Sequence, residues 1–397
     1  MWAVLRLLRL VTALLLVGTV AAVGAPAASA DQVRDGQYWL EDLNLPAAWE
    51  ISRGAGVIVG VVDSGANTRH PDLAGALLPG TVINSDPTTD DPVGHGTAVS
   101  VLLAGRGHDG DDGTLGVAPE AMLLPITADS GSNWLQEGIR WAVDHGARVI
   151  NVSSGGYYGE AGASGYHDSL AYAESRDVVV VASAGKGDGL GQLSGLASRP
   201  GVVAVSAVDD TGTFRPDVSN QGPDVELAAP GVAMPMLSED GDAGFRLATF
   251  TGTSLSAPIV AGTAALIRSE YPDLNAANVV QRLISTATDA GPPGHDPQYG
   301  HGIVNPVAAL SAEVAPVAEN PLGSVTELLE TPPAPPVAQG PPESSAGEPI
   351  SLGLVFGVLG GAAVLVGAVV LVMVLVVRRR RHREPLPAAL RRTYTPR

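Results

Sequence analysis

Five short runs in the chain are apolar along nearly their whole length, most of them rich in valine: Val57 to Val62, Ala121 to Ile126, Val149 to Ser153, Val178 to Ala182 and Val202 to Val208. A strand with one wet face alternates apolar and polar residues, whereas a run without alternation reads as a strand covered on both faces. Longer stretches with helical spacing lie between and after them, predicted over His95 to Ala104, Trp134 to His145, Ser254 to Tyr271 and Asn275 to Thr286. Pro272 ends the third of these and Asn275 caps the fourth. Strands alternating with helices predict an α/β fold of three layers, a mostly parallel twisted sheet with helices on both faces.

The two ends stand apart from this pattern. Residues 1–30 carry Arg6 and Arg9, an apolar stretch from Leu10 to Val23, and then Ala28-Ser29-Ala30, the small-x-small form of a signal-peptidase site. We read them as a signal peptide with Asp31 as the mature start; an uncleaved anchor is the competing reading. The packed domain is predicted over 31–311. Residues 312–349, which include PPAPPVAQGPPESS, read as a solvated proline-rich stalk. Ile350 to Val377 is an uncharged apolar run of 28 residues, against the ~20 that span a bilayer. Arg378 to Arg381, His382 and Arg383 follow at once, so the positive-inside bias puts the tail, 378–397, in the cytoplasm and the domain outside. The expected location is the plasma membrane, crossed once by a C-terminal transmembrane helix.

The formal net charge is −18 over 397 residues, and the end segments hold ten of the 23 Lys and Arg, so the intervening chain is more acidic still. Such a surface argues against nucleic acid as a partner. There is no cysteine, which excludes a thiol nucleophile, disulfides and cysteine-based metal sites. The histidines show no metal-ligand cluster in the sequence. The acidic loop at Asp109, Asp111 and Asp112 lacks EF-hand spacing and reads as solvated charge, so no metal and no cofactor is assigned.

Chemistry is concentrated in three places. Residues 249–262 read TFTGTSLSAPIVAG, which sets Ser254 at the entrance of a buried helix whose free amides and positive dipole end face its hydroxyl. Pro258 is expected in the first turn, where no N–H is needed. A lone serine there is ordinarily a cap. Asp63, however, closes the first strand, where open α/β sheets place their sites, and His95 opens a helix between Gly94 and Gly96. The order Asp63, His95, Ser254 supplies a carboxylate to orient a base, the base, and a nucleophile.

VVDSG, HPDL, GHGTAVS, GVAP, INVSSGG, GTSLSAPIVAG and YGHGIVNPVAAL, spread from residue 57 to 310, resemble the subtilisin-like serine proteases, the subtilases. The signal peptide, short N-terminal extension, stalk, single span and basic tail resemble the mycosins, membrane-anchored proteases of type VII secretion. The resemblance implies a serine endopeptidase of protein or peptide substrates, with membrane components of type VII secretion as partners. It implies Asp63, His95 and Ser254 as the triad, Ser153, Ser154 and Gly155 as one wall of the substrate cleft, and Ser183, Ala184 and Gly185 near the other.

Two departures accompany it. Mycosins carry disulfide cysteines, and this chain has none. Where subtilases place an asparagine whose amide donates to the oxyanion, this chain has Lys186, its one lysine. Either the ammonium holds the oxyanion by charge, or it points to solvent and the Ser254 backbone N–H remains as donor. The second case leaves open a catalytically weak structural component of a secretion complex. A lipase or esterase fits poorly, because Ser254 is not in a GxSxG elbow. The 32 residues from Asp31 to Val62, ahead of Asp63, are too few for a separately folded pro-region, so Tyr38, Trp39 and Trp49 are expected to pack along the domain and remain attached.

Overall fold

The computed structural model describes residues 31–83, 91, 93–108, 112–128, 133–153, 160–186, 193, 195–239 and 244–326. The predicted signal peptide, the run over 350–377, the basic tail, and Ser154, Gly155, Asp109 and Asp111 lie outside them. The chain divides into compact units Met1–Pro332 and Pro333–Arg397, and all described residues belong to the first. Among them no helix is long and apolar enough to cross a membrane.

Three short helices come first: α1 Asp31–Asp35, α2 Tyr38–Asp42 and α3 Leu45–Trp49. A parallel sheet is built from β1 Ile58–Asp63, β2 Thr81–Ile83, β5 Met122–Ala128, β6 Val149–Val152, β7 Val179–Ser183, β8 Val202–Val208 and β9 Leu227–Pro230. Its strand order is β2-β5-β1-β6-β7-β8-β9. Two antiparallel hairpins stand apart from it, β3 Arg106–His108 with β4 Asp112–Leu115, and β10 Met234–Glu239 with β11 Phe245–Phe250. The remaining helices are α4 His95–Ala104, α5 Trp134–Asp144, α6 Glu160–Ser175, α7 Thr253–Glu270, α8 Ala276–Ser285 and α9 Pro306–Ser311.

The valine-rich runs become the central strands because both faces are covered. Val59 and Val61 point into one apolar layer with α4 and α7, and Val62, Ile126 and Ile150 into the other with Leu135 and Ile139 of α5. Each fully buried aliphatic side chain contributes about 1.5–3 kcal/mol. From β1 the chain goes first to β2 and β5 on one side and later to β6 on the other. The carboxyl end of β1 is thus a switch point, where such sheets leave a crevice.

The N-terminal extension belongs to the domain. Trp39 is fully buried, Tyr38 OH donates to the Val232 carbonyl at 2.8 Å, and Trp49 Nε1 donates to the Val117 carbonyl at 2.8 Å. At the other end, the expectation of a free stalk from residue 312 is corrected. Arg282 donates from two nitrogens to the Ala312 carbonyl, each at 3.0 Å, Gly201 N donates to the Leu322 carbonyl at 2.9 Å, and Val325 is buried. The pattern of Pro, Ala and Glu gave no hint of this, because the contacts are mostly to backbone. Removing the indole in Trp39→Ala should destabilise the domain by about 3–5 kcal/mol, read from urea unfolding; a change below ~1 kcal/mol would show that the extension only decorates it.

Candidate active site

Asp63 ends β1 with its carboxylate fully buried, and its Oδ1 lies 2.7 Å from Nδ1 of His95. A carboxylate can only accept, so Nδ1 carries the proton and a neutral ring presents its Nε2 lone pair away from the sheet. Ser64 steadies both partners. Its N–H and hydroxyl donate to Asp63 Oδ1 at 2.8 and 3.2 Å, while its Oγ accepts from Gly96 N at 3.0 Å. A Cβ on Gly96 would lie 2.2 Å from the Gly65 carbonyl oxygen. Only a glycine lets α4 start this close to β1, as the flanking glycines of His95 suggested.

Asp91 fixes the start of that helix. Its Oδ1 accepts from Gly94 N at 2.9 Å and its Oδ2 from Thr97 N at 2.8 Å. Burial of His95 opposes its charged form, but the Asp63 hydrogen bond and the charges of Asp63 and Asp91 outweigh burial and hold the imidazole above its ordinary value.

Ser254 is the second residue of α7. Pro258 lies beyond the first turn, contrary to the sequence expectation. Having no N–H, it leaves the carbonyl four residues earlier, that of Ser254, without its helical partner. Ser153 Oγ, just past β6, donates to that carbonyl at 2.8 Å and itself accepts from Asn151 Nδ2 at 2.9 Å. Thr253 Oγ1 accepts from Gly185 N, just past β7, at 3.2 Å. The helix N-terminus is therefore tied to the carboxyl ends of two adjacent strands.

Sheet register then places the parts. Val62 of β1 pairs with Val152 of β6, so Asp63 and Ser153 stand side by side at the same rim. Val152 pairs in turn with Ala182 of β7, which brings Ser183 into the same row. Asp63, His95 and Ser254 thus share one rim of the sheet. The Ser254 hydroxyl and the His95 ring are not hydrogen-bonded to each other; such bonds are often long without substrate and tighten when it binds.

Of the predicted cleft residues, Ser153, Ser183 and Ala184 are buried. Ser183 Oγ donates to the Ser153 carbonyl at 3.3 Å, and Asn220 N donates to the Gly185 carbonyl at 3.0 Å. Lys186 is exposed, and among the described residues no hydrogen bond or ion pair holds its ammonium. A pocket lined by Asn67, Asp91, Val93, Thr97 and Phe245 opens beside the His95 helix.

Residues 54–302 match the model of the Subtilase family, the larger part of the chain. The chain belongs to the subtilases. Mycosin-4 of Mycobacterium tuberculosis is 35% identical over 318 residues, covering 69% of this chain and 69% of its own. Subtilisin DY of Bacillus licheniformis is 36% identical over 265 residues, covering 65% of this chain and 92% of its own. Among solved structures, the MycP3 protease from the type VII (ESX-3) secretion system superposes with a TM-score of 0.61 at 32% identity, over 73% of this chain and 90% of its own.

This subtilase is a subtilisin-like serine protease related to the mycosins, and its sheet is the parallel one expected. Sequence reading missed Asp91, Ser64 and Asn151. An aspartate four residues before His95 carried a capping signal, whereas the roles of Ser64 and Asn151 depend on which strands are neighbours. It also missed a meeting of histidines: the fold brings Glu226, His295 and His301 together, which corrects the expectation that no such cluster forms.

The raised His95 value makes a checkable statement. Its extra stabilisation of the fold is fully present below the unfolded value of ~6.5 and is lost as pH rises through the folded value. In an NMR titration the His95 ring should titrate above that value in the wild type. In Asp63→Asn, where burial is the largest effect left, it should titrate below it; an unchanged midpoint would remove Asp63 as the partner that sets the base.

Proposed function

We propose that this subtilase is a membrane-anchored endopeptidase acting outside the cytoplasm through Asp63, His95 and Ser254. The observation that carries the reading is the 2.7 Å bond from buried Asp63 to His95, on the same sheet rim that anchors the start of α7. His95 Nε2 takes the proton of Ser254 Oγ as the oxygen attacks the peptide carbonyl, and the tetrahedral oxyanion forms at the Ser254 N–H, in the field of the helix N-terminus. Collapse breaks the C–N bond while His95 returns the proton to the leaving amine. Water then repeats the sequence on the acyl-enzyme and restores Ser254. Ser153, Ser154 and Gly155 would line one side of the bound peptide, and Ser183, Ala184 and Gly185 the other.

A fluorophosphonate probe should label the folded wild type and not Ser254→Ala; an unlabelled wild type ends the proposal. Exposure of Lys186 favours a second reading, in which one oxyanion donor is lost and turnover is slow, so that the chain serves mainly as a structural member of a secretion complex. Lys186→Asn should then raise kcat by up to ~10²-fold, measured on a peptide substrate. No rise would assign the oxyanion role to the lysine as it stands.

Likeness to Mycosin-4 and to the MycP3 protease from a type VII secretion system supports membrane components of such a system as partners. The apolar run over 350–377 and the arginines after it support the anchor, with the tail in the cytoplasm. Alkaline carbonate should leave the full-length chain in the membrane fraction and release a chain ending at residue 326. Release of both would refute the anchor.

A further inference from the structure

The amino ends of the strands carry a second group of chemically apt side chains, at the start of β9. Asp296 and Gly300 form an antiparallel bridge, with N–H to carbonyl distances of 3.0 and 2.9 Å. Residues flanking such a pair stand opposite one another, so His295 and His301 face across it, with ring centroids 4.8 Å apart. Asp296 Oδ1 closes the turn by accepting from Gln298 N at 2.8 Å and Tyr299 N at 3.2 Å. His301 N donates to the Glu226 carbonyl at 2.9 Å. Gly300 has φ +60°, and a Cβ there would come 2.3 Å from the Glu226 carbonyl oxygen. The turn is therefore pressed onto the strand in one position.

Oε2 of Glu226 lies 3.6 Å from His301 Nε2 and 3.9 Å from His295 Nε2, and its side chain is 15% exposed. One ligating atom from each of the three residues falls within 4.8 Å of the other two. Among the described residues no Lys or Arg is paired with this carboxylate. Burial, with Asp224 beside it, pushes Glu226 up to about 7, and burial with His295 beside it lowers His301. A mostly buried carboxylate thus faces two imidazoles with no cation to balance it.

We propose that Glu226, His295 and His301 form a binding site for a divalent transition-metal ion, zinc being the one their ligand types fit best. Zinc takes imidazole nitrogen at ~2.0–2.1 Å and carboxylate oxygen at ~2.0–2.2 Å in a tetrahedron. Ligands around such an ion lie ~3.3 Å apart, so small rotations of three partly exposed side chains close the set. His295 Nε2, if it ligates, gives up its 2.9 Å contact with the Val225 carbonyl. Water takes the fourth position. Calcium does not suit the set, because it takes six to eight oxygens.

The ion would clamp the turn over residues 295–301 onto edge strand β9. This rim is opposite the one that holds Asp63, so the clamp acts on the stability of the sheet edge and not on bond breaking. Full-length protein stripped with EDTA and titrated with zinc chloride should bind one equivalent by calorimetry, with a rise in melting temperature. Glu226→Gln, His295→Ala and His301→Ala should each weaken binding by at least ~10-fold while melting near the wild type in EDTA. Glu226→Gln keeps the side-chain shape and decides the matter if either histidine variant does not fold. Three outcomes overturn the site: no zinc bound by the wild type, binding equal in all variants, or calcium stabilising as much as zinc.

Discussion

A missing hydrogen bond organises the reactive end of this molecule. Pro258 cannot close the helical bond to the Ser254 carbonyl, and that oxygen is instead held by Ser153 from the neighbouring strand. A buried carbonyl left without a partner costs about 1–3 kcal/mol, so the helix start can rest in one place only. Thr253 makes a second tie to Gly185. Two bonds to adjacent strands fix both position and rotation of the first turn, and with it the direction of the Ser254 side chain. The serine is placed by its own backbone.

His95 is placed by a different means. Asp63 stands on an interior strand, shielded from water, where an uncompensated charge would be costly. The bonds from Ser64 and His95 to Oδ1 offset part of that cost, and the bond from His95 also orients the ring. Asp91 adds a nearby negative charge while accepting bonds from Gly94 N and Thr97 N at the start of the helix that carries His95. Orientation and proton affinity therefore come from the same few contacts. A sheet buried on both faces makes this possible, since its rim does not shift with the surface loops.

The two rims of the sheet do different work. At the carboxyl ends, Asp63 of β1 holds His95 of α4, and the start of α7 is tied to the ends of β6 and β7 beside the reversal of strand order. At the amino end of β9, a tight turn sets two imidazoles over Glu226. Both groups rest on glycines that let backbones touch, Gly96 at one rim and Gly300 at the other. Neither would survive a Cβ at those points.

Sequence alone determined the parallel sheet, because unbroken valine-rich runs have no stable place except between two apolar layers. It also marked where Asp63, His95 and Ser254 sit, at a strand end and at two helix starts, because their glycine-flanked motifs are local. Short β2 and β9 escaped notice, and so did α6, whose apolar stripe of Tyr166, Leu170 and Ala173 is short and set among glycines and polar residues. Only the tertiary structure decided that Ser153 answers Pro258, that Asp91 faces His95, that residues 312–326 pack on the domain, and that Glu226 meets His295 and His301. Each of these joins positions whose distance depends on strand order and register. A one-dimensional pattern records which residues want burial or a partner, but the partner is chosen by which strands lie side by side.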